Sequence, residues 1–240
     1  MTLTNIHNLP DPLVRAVTFD NYDTVGDISV TGLLRPTQMA HLESLHGTDV
    51  EEDVADRIWA LLGSAAHEVL YRAGQGQMQE RRLTMEVNGW TVSGKSDLYD
   101  PESGYIIDWK VTSVWSVVYE PTGRKEYHEQ LNLYRLLLEA NGYEVKGLQI
   151  CAILRDWSER DRDRSKQGNY PSVPFKVIEL PLWDKPFADK FLENRVKAHQ
   201  AAAEGTFVDC TDEERWLNNG TYTRCNRYCK VAKFCAQHNG

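Results

Sequence analysis

The chain has 240 residues, 41% of them hydrophobic, enough for one ordinary domain with a real core, or one domain and a small appendage. A net charge of −8 excludes a protein that coats nucleic acid by bulk attraction, but not an enzyme that meets phosphates in a local site. No segment has the apolar length of a membrane span, and residues 1–8 lack the basic-then-apolar pattern of a secretory signal. A cytoplasmic location is therefore expected, with the five cysteines as thiols or metal ligands rather than disulfides.

Residues 1–30 show little periodicity. Ile28 to Pro36 reads as an extended stretch in which Ser29 or Thr31 caps a short helix over 37–46, and Arg35 reads as a surface residue. The strongest helix is expected from Asp49 to about Gly74, because Ile58, Leu61, Leu62, Ala65, Ala66, Val69 and Leu70 recur at helical spacing. Thr48 or Asp49 would cap it and Gly74 would stop it. Inside it, the small residues of Gly63-Ser-Ala-Ala-His67 should let the helix approach a sheet closely, with His67 leaning over that sheet.

Strands are expected over 79–88, 90–99 and 105–112, joined by an Asn88-Gly89 turn and a polar turn from Asp100 to Gly104. Three such strands make an antiparallel meander. Counted outward from the second turn, Asp97 and Asp108 fall opposite or nearly opposite each other, where Cβ atoms lie about 5 Å apart and like charges repel. Lys110 shares the Asp108 face, while Ile107 and Trp109 point the other way. Desolvating two carboxylates and an ammonium is costly. A divalent cation would neutralise the acids and leave Lys110 free to face a second anion, so the stretch reads as a metal site that acts on phosphate. Glu80 and Glu86, on the first strand, read as solvated.

Residues 111–123 form a connection whose Trp115, Val117, Val118 and Tyr119 should cover the core. A second helix is expected over 124–140, stopped by Asn141-Gly142, with Leu133, Leu136 and Leu137 as its apolar side and Gln130 and Tyr134 sharing a face. The apolar run 145–154 reads as a buried central strand, parallel to a neighbour, with Cys151 an inert buried thiol. A charged loop follows over 155–166, in which Arg160, Arg162, Arg164 and Lys166 either touch DNA or stay solvated among interleaved acids. A strand over 174–180 and a helix over 183–204 complete an α/β domain, 1–204. The remaining 205–240 form a cysteine-rich tail. Cys210, Cys225, Cys229 and Cys235 are concentrated there, which signals zinc or an iron–sulfur cluster. The spacing is not that of a zinc ribbon. His238 in place of Cys210 as fourth ligand would favour zinc.

The ordered set of Gly63 to His67 on a helix, Gly94 to Asp97 and Asp108 to Lys110 on strands, and Gln130 to Tyr134 on a helix resembles the RecB-like group of PD-(D/E)XK nucleases, with its CRISPR-associated and phage relatives. The resemblance implies a restriction-endonuclease-like α/β fold, a mixed central β-sheet flanked by helices, with the cysteine-rich tail packing on it. It implies that His67, Asp97, Asp108 and the Trp109 carbonyl hold Mg²⁺ or Mn²⁺. Lys110 would orient or help deprotonate the attacking water and stabilise the phosphorane-like charge, and Gln130 and Tyr134 would steady the lysine, the water or the DNA backbone. Several members carry a [4Fe–4S] cluster on one cysteine before the nuclease motifs and three near the C-terminus. This chain has none before, so Cys210 would have to substitute. The implied activity is metal-dependent hydrolysis of DNA, by an exonuclease more than an endonuclease, on DNA with a single-stranded portion or a free end. The setting would be recombination, repair or phage DNA processing, with recombination or replication proteins as partners. The alternatives are an inactive DNA-binding or assembly subunit on the same fold, whose mark would be a missing acid or lysine, and a structure- or sequence-specific endonuclease. Here no acid or lysine is missing.

Overall fold

The structure, a computed structural model, describes residues 1–19, 25–74, 78–165 and 168–239. In chain order come β1 (Thr2–Thr4), α1 (Asp11–Thr18), β2 (Ile28–Ser29), α2 (Val30–Leu33), α3 (Thr37–His46), β3 (Glu51–Asp53), α4 (Ile58–Ala73), β4 (Met78–Gln79), β5 (Arg82–Val87) and β6 (Trp90–Lys95). Then follow β7 (Leu98–Asp100), β8 (Tyr105–Thr112), α5 (Val114–Tyr119), α6 (Lys125–Ala140), β9 (Gly147–Leu154), α7 (Glu159–Arg164), β10 (Phe175–Leu180) and α8 (Lys185–Ala203). The C-terminal stretch holds β11 (Leu217–Asn218), β12 (Thr221–Tyr222), α9 (Thr223–Arg227) and α10 (Ala236–Asn239). These build two units: one of residues 24–30 and 59–192, the other of 1–23, 31–58 and 193–240.

The first unit is a mixed α/β structure around a five-stranded sheet of order β10-β9-β8-β7-β4. β8 and β9 are parallel, with Asp108 beside Ile150, so the chain must cross over between them, and α6 is that crossover. Leu131, Leu133, Leu136, Leu137 and Leu138 of α6 are buried, each contributing about 1.5–3 kcal/mol. β9 is a buried interior strand, between β10 and the central β8: Leu148, Ile150, Cys151, Ala152 and Leu154 are all buried.

The meander is corrected. β5 and β6 pair within a separate three-stranded sheet with β2, whereas β4 and β7 pair within the five-stranded one. The same register runs through both, Arg82 facing Lys95 and Gln79 facing Leu98, so both strands break at the same level. The break is a corner. Glu80 takes a left-handed φ of 46°, its N–H donates to the Asp97 carbonyl at 3.2 Å, and its carboxylate pairs with Lys95 at 2.7 Å. The corner ends the strand alternation at Ser96 and Asp97.

Helix boundaries also move. The helix expected from Asp49 begins at Ile58, because Glu51–Asp53 pairs in parallel with β1, and Asp53 caps only a 3₁₀ turn by accepting from Ala55 N–H at 3.0 Å. α3 starts after Pro36, without a side-chain cap from Ser29 or Thr31. The connection after β8 contains α5, capped by Ser113, and the charged loop contains α7, capped by Ser158. Lys166 lies outside the described residues.

In the second unit, α8 turns Arg195 and the buried His199 toward α2. Arg195 donates to the Leu33 and Arg35 carbonyls at 2.7 and 2.6 Å, and the His199 ring lies 3.1 Å from the Leu33 carbonyl. These side chains satisfy carbonyls that the end of a short helix leaves open. Residues 205–240 belong to this unit, together with 31–58.

Candidate active site

The corner, β8, α4 and α6 converge on the acids. Continuing the β7–β8 register, in which Leu98 faces Ile107, sets Asp97 opposite Asp108, as the turn count predicts. Asp97 stands just before β7, and its Oδ2 accepts the Trp109 N–H at 2.9 Å, which pins the carboxylate to β8. Its other oxygen lies 3.4 Å from His67 Nδ1, so α4 does bring its histidine to the acids.

Asp108 is buried, 2% exposed, on the central strand. Lys110 Nζ lies 2.5 Å from Asp108 Oδ2. That is ion-pair distance, and the ammonium meets an oxygen buried from solvent. Burial pushes the Asp108 carboxyl up to about 6; Lys110 opposes the rise and Asp97 adds to it. For Lys110, burial acts to lower the ammonium, but Asp108 at contact and Asp97 behind it outweigh burial and hold it above the ordinary lysine value. The hydrogen bond to Asp97 raises His67. The positive charges of Lys110 and His67 are thus held by the acids beside them.

α6 supplies the next layer. Lys110 donates to Gln130 Oε1 at 3.3 Å, and Gln130 donates to the Tyr134 hydroxyl at 3.4 Å. Tyr127, which the sequence reading missed, holds its ring 5.5 Å from Lys110 Nζ. Its signal was available: Tyr127, Gln130 and Tyr134 stand at i, i+3 and i+7, one face of a helix. Gly94 has a steric reason. A Cβ there would lie 2.6 Å from Leu137 Cδ1 and 2.9 Å from Tyr134 Cε1, so glycine lets α6 close on β6. Gly63 has none. A Cβ there meets nothing within 4 Å among the described residues, which corrects the expectation that Gly63 permits close packing. Glu86 accepts from Thr91 at 2.5 Å and Arg35 pairs with Glu43, so both are engaged elsewhere.

Among the described residues, no group of three or more His, Cys, Asp or Glu side chains is disposed to hold a metal ion as they stand. The donor chemistry nevertheless fits a hard divalent cation. Two carboxylates face each other across neighbouring strands, oxygen donors of the kind a hard cation takes.

In the second unit, Cys210, Cys225, Cys229 and Cys235 all line one cavity of about 20 Å³, with His238, Arg215 and Arg224 beside them. Cys210 is placed by backbone bonds: its N–H donates to Gln38 and Gln237, and its carbonyl accepts from Gln237 at 2.8 Å. Burial pushes the Cys210 thiol up to about 12, and burial raises Cys229 as well. The Arg215 side chain bonds Cys225, yet its buried Nε lacks a partner. Four cysteines line this one cavity, but among the described residues they are not disposed as a metal-holding group as they stand. Cys151 stands apart from them in β9, its thiol raised to about 11 by burial.

The sequence model of the PD-(D/E)XK nuclease superfamily matches residues 47–236. No curated protein matches. Among solved structures, the crystal structure of SSO0001 is similar over 94% of both chains, with a TM-score of 0.54 and 16% identity, a likeness of fold. The crystal structure of a phage related exonuclease from Haemophilus somnus 129PT is similar over 82% of this chain and 83% of that one, at 16% identity and a TM-score of 0.36. No helix among the described residues is long and apolar enough to cross a membrane.

Proposed function

The chain belongs to the PD-(D/E)XK nuclease superfamily, and on that premise we propose that it is a metal-dependent deoxyribonuclease, an exonuclease acting on DNA with a free end. The observation that carries the reading is the buried Asp108, facing Asp97, which His67 meets, and backed by Lys110. Asp108, Asp97, His67 and the Trp109 carbonyl would hold Mg²⁺ or Mn²⁺. When bound, the ion supplies Lewis-acid charge at a phosphoryl oxygen and an acidified water. The chain's own groups do the rest. Lys110, fixed between Asp108 and Gln130, offers an N–H donor and a positive charge to the oxygens where negative charge grows. Gln130, Tyr134 and Tyr127 hold the lysine in that position. The Trp109 N–H keeps Asp97 turned toward Asp108.

The test is digestion of end-labelled single-stranded, duplex and circular DNA with Mg²⁺ or Mn²⁺. The wild type should shorten linear DNA from its ends and spare circles. Asp108→Asn should slow it by at least about a hundredfold. An Asp108→Asn protein as fast as wild type would refute the assignment; cut circles would make the enzyme an endonuclease.

We propose further that the four thiols hold a metal centre. The shared cavity supports it, and the resemblance to cluster-bearing relatives points to iron and sulfur. Anaerobically purified protein containing iron and sulfide assigns a cluster. Zinc alone assigns a single ion, and neither metal withdraws the proposal.

A further inference from the structure

Beyond Lys110, β8 continues to Thr112 on the same face, about 7 Å further along. There a chain of contacts leads outward. Thr112 Oγ1 meets Ser116 Oγ at 3.0 Å on α5, and the Thr112 carbonyl accepts the Arg155 N–H at 3.0 Å. The Arg155 guanidinium lies 5.1 Å from the Trp59 ring centroid, on the helix that carries His67. Flanking Ser116 on α5 are Trp115 and Tyr119, stacked at 5.8 Å with 25° between the rings. All three rings are open to solvent: Trp59, Trp115 and Tyr119 are 65%, 47% and 77% exposed. Trp115 is nonetheless anchored, its ring edge-on to the buried Tyr170 at 6.0 Å, and Tyr170 accepts the Ser158 N–H. Beside the pair opens a cavity of about 460 Å³, lined also by Arg164, Asp161 and Asn169.

Apolar ring surface left in water is unfavourable and burying it is favourable, and these three sit with arginines at the edge of the proposed phosphate-cleaving site. A duplex keeps its base faces stacked on one another, so it cannot use flat rings. Unpaired bases can, and their phosphates suit Arg155 and Arg164.

We propose that Trp115 and Tyr119, with Trp59 and Arg155, form a stacking platform for the unpaired bases of single-stranded DNA entering the active site. The inference rests on the nuclease reading and names the substrate class of that site. Its test needs no cleavage. The full chain carrying Asp108→Asn is titrated, by fluorescence anisotropy, with oligo-dT and with an abasic oligomer of equal length and charge. Oligo-dT should bind more tightly, and Trp115→Ala with Tyr119→Ala should remove that preference, a loss of roughly five- to hundredfold per base unstacked. Trp115→Phe should retain part of it. An unchanged melting temperature in the double variant confirms that the fold is intact.

Equal binding of the two oligomers, or a preference that survives the double variant, overturns the platform and leaves the patch to a protein partner. The two readings fail separately. A wild type that cuts DNA without preferring bases loses only the platform; one that prefers bases without cutting loses only the nuclease.

Discussion

Two helices of sixteen residues serve one site and are built on opposite terms. α6 buries seven residues, Leu131, Asn132, Leu133, Tyr134, Leu136, Leu137 and Leu138, and closes on β6 through the missing side chain of Gly94. α4 buries none and leaves Trp59, Leu62, Val69 and Tyr71 exposed. Gln130 and Tyr134 are therefore placed by the core, whereas His67 is placed chiefly by its 3.4 Å contact with Asp97. The difference teaches that the lysine side of this site is rigid and the histidine side is cheap to move. A helix with little apolar burial can open locally at a small fraction of the global unfolding free energy.

The sharpest way to break this contrast is to truncate one leucine. Leu137→Ala should cost about 2–5 kcal/mol by urea denaturation, since its side chain is buried and the cavity cannot collapse against β6. Next is the metal. Amides of α4 should exchange before those of α6 in metal-free protein. Mg²⁺ at 100 times its dissociation constant should slow them by up to about 2.7 kcal/mol, an effect His67→Ala should remove. Mass-spectrometric hydrogen exchange reads both, and equal exchange of the two helices without metal would end the argument.

Gly94→Ala forces a methyl into Leu137 and Tyr134 and should cost about 1–3 kcal/mol, with DNA cleavage falling alongside as Tyr134 shifts from Gln130. Gly63→Ala should act in the other direction. Its Cβ meets open space, so the protein should gain up to about 1 kcal/mol from helix propensity, seen as a higher melting temperature. The smallest effect is expected from Leu62→Ala on α4, within about 0.5 kcal/mol, because that side chain is already 45% exposed.

The acids, the lysine and the helix face of Gln130 and Tyr134 were legible because each depends on short-range periodicity. A two-residue strand period and a bounded turn put Asp97 opposite Asp108, and the structure keeps that register. Tyr127 was equally legible by helical spacing, but its neighbour Lys110 lies in another element, and nothing local couples them. The start of α4 was misread because Asp49, Glu51, Glu52 and Asp53 imitate an acidic first turn. What claims Glu51, Glu52 and Asp53 instead is pairing with β1. The charged stretch after β9 forms α7 without an apolar face, so no hydrophobic period announces it.

By itself, then, the chain's order of residues determined the family, the crossover of α6 and the pairing of the two acids, all consequences of spacing along one or two neighbouring elements. Only the tertiary structure decided the corner at Glu80 and Asp97, the gathering of four thiols around one cavity, and the bare face of α4. Each of these depends on which distant segments compete for the same backbone hydrogen bonds or the same apolar surface. That competition is settled by the free energy of the whole fold, not by any local pattern.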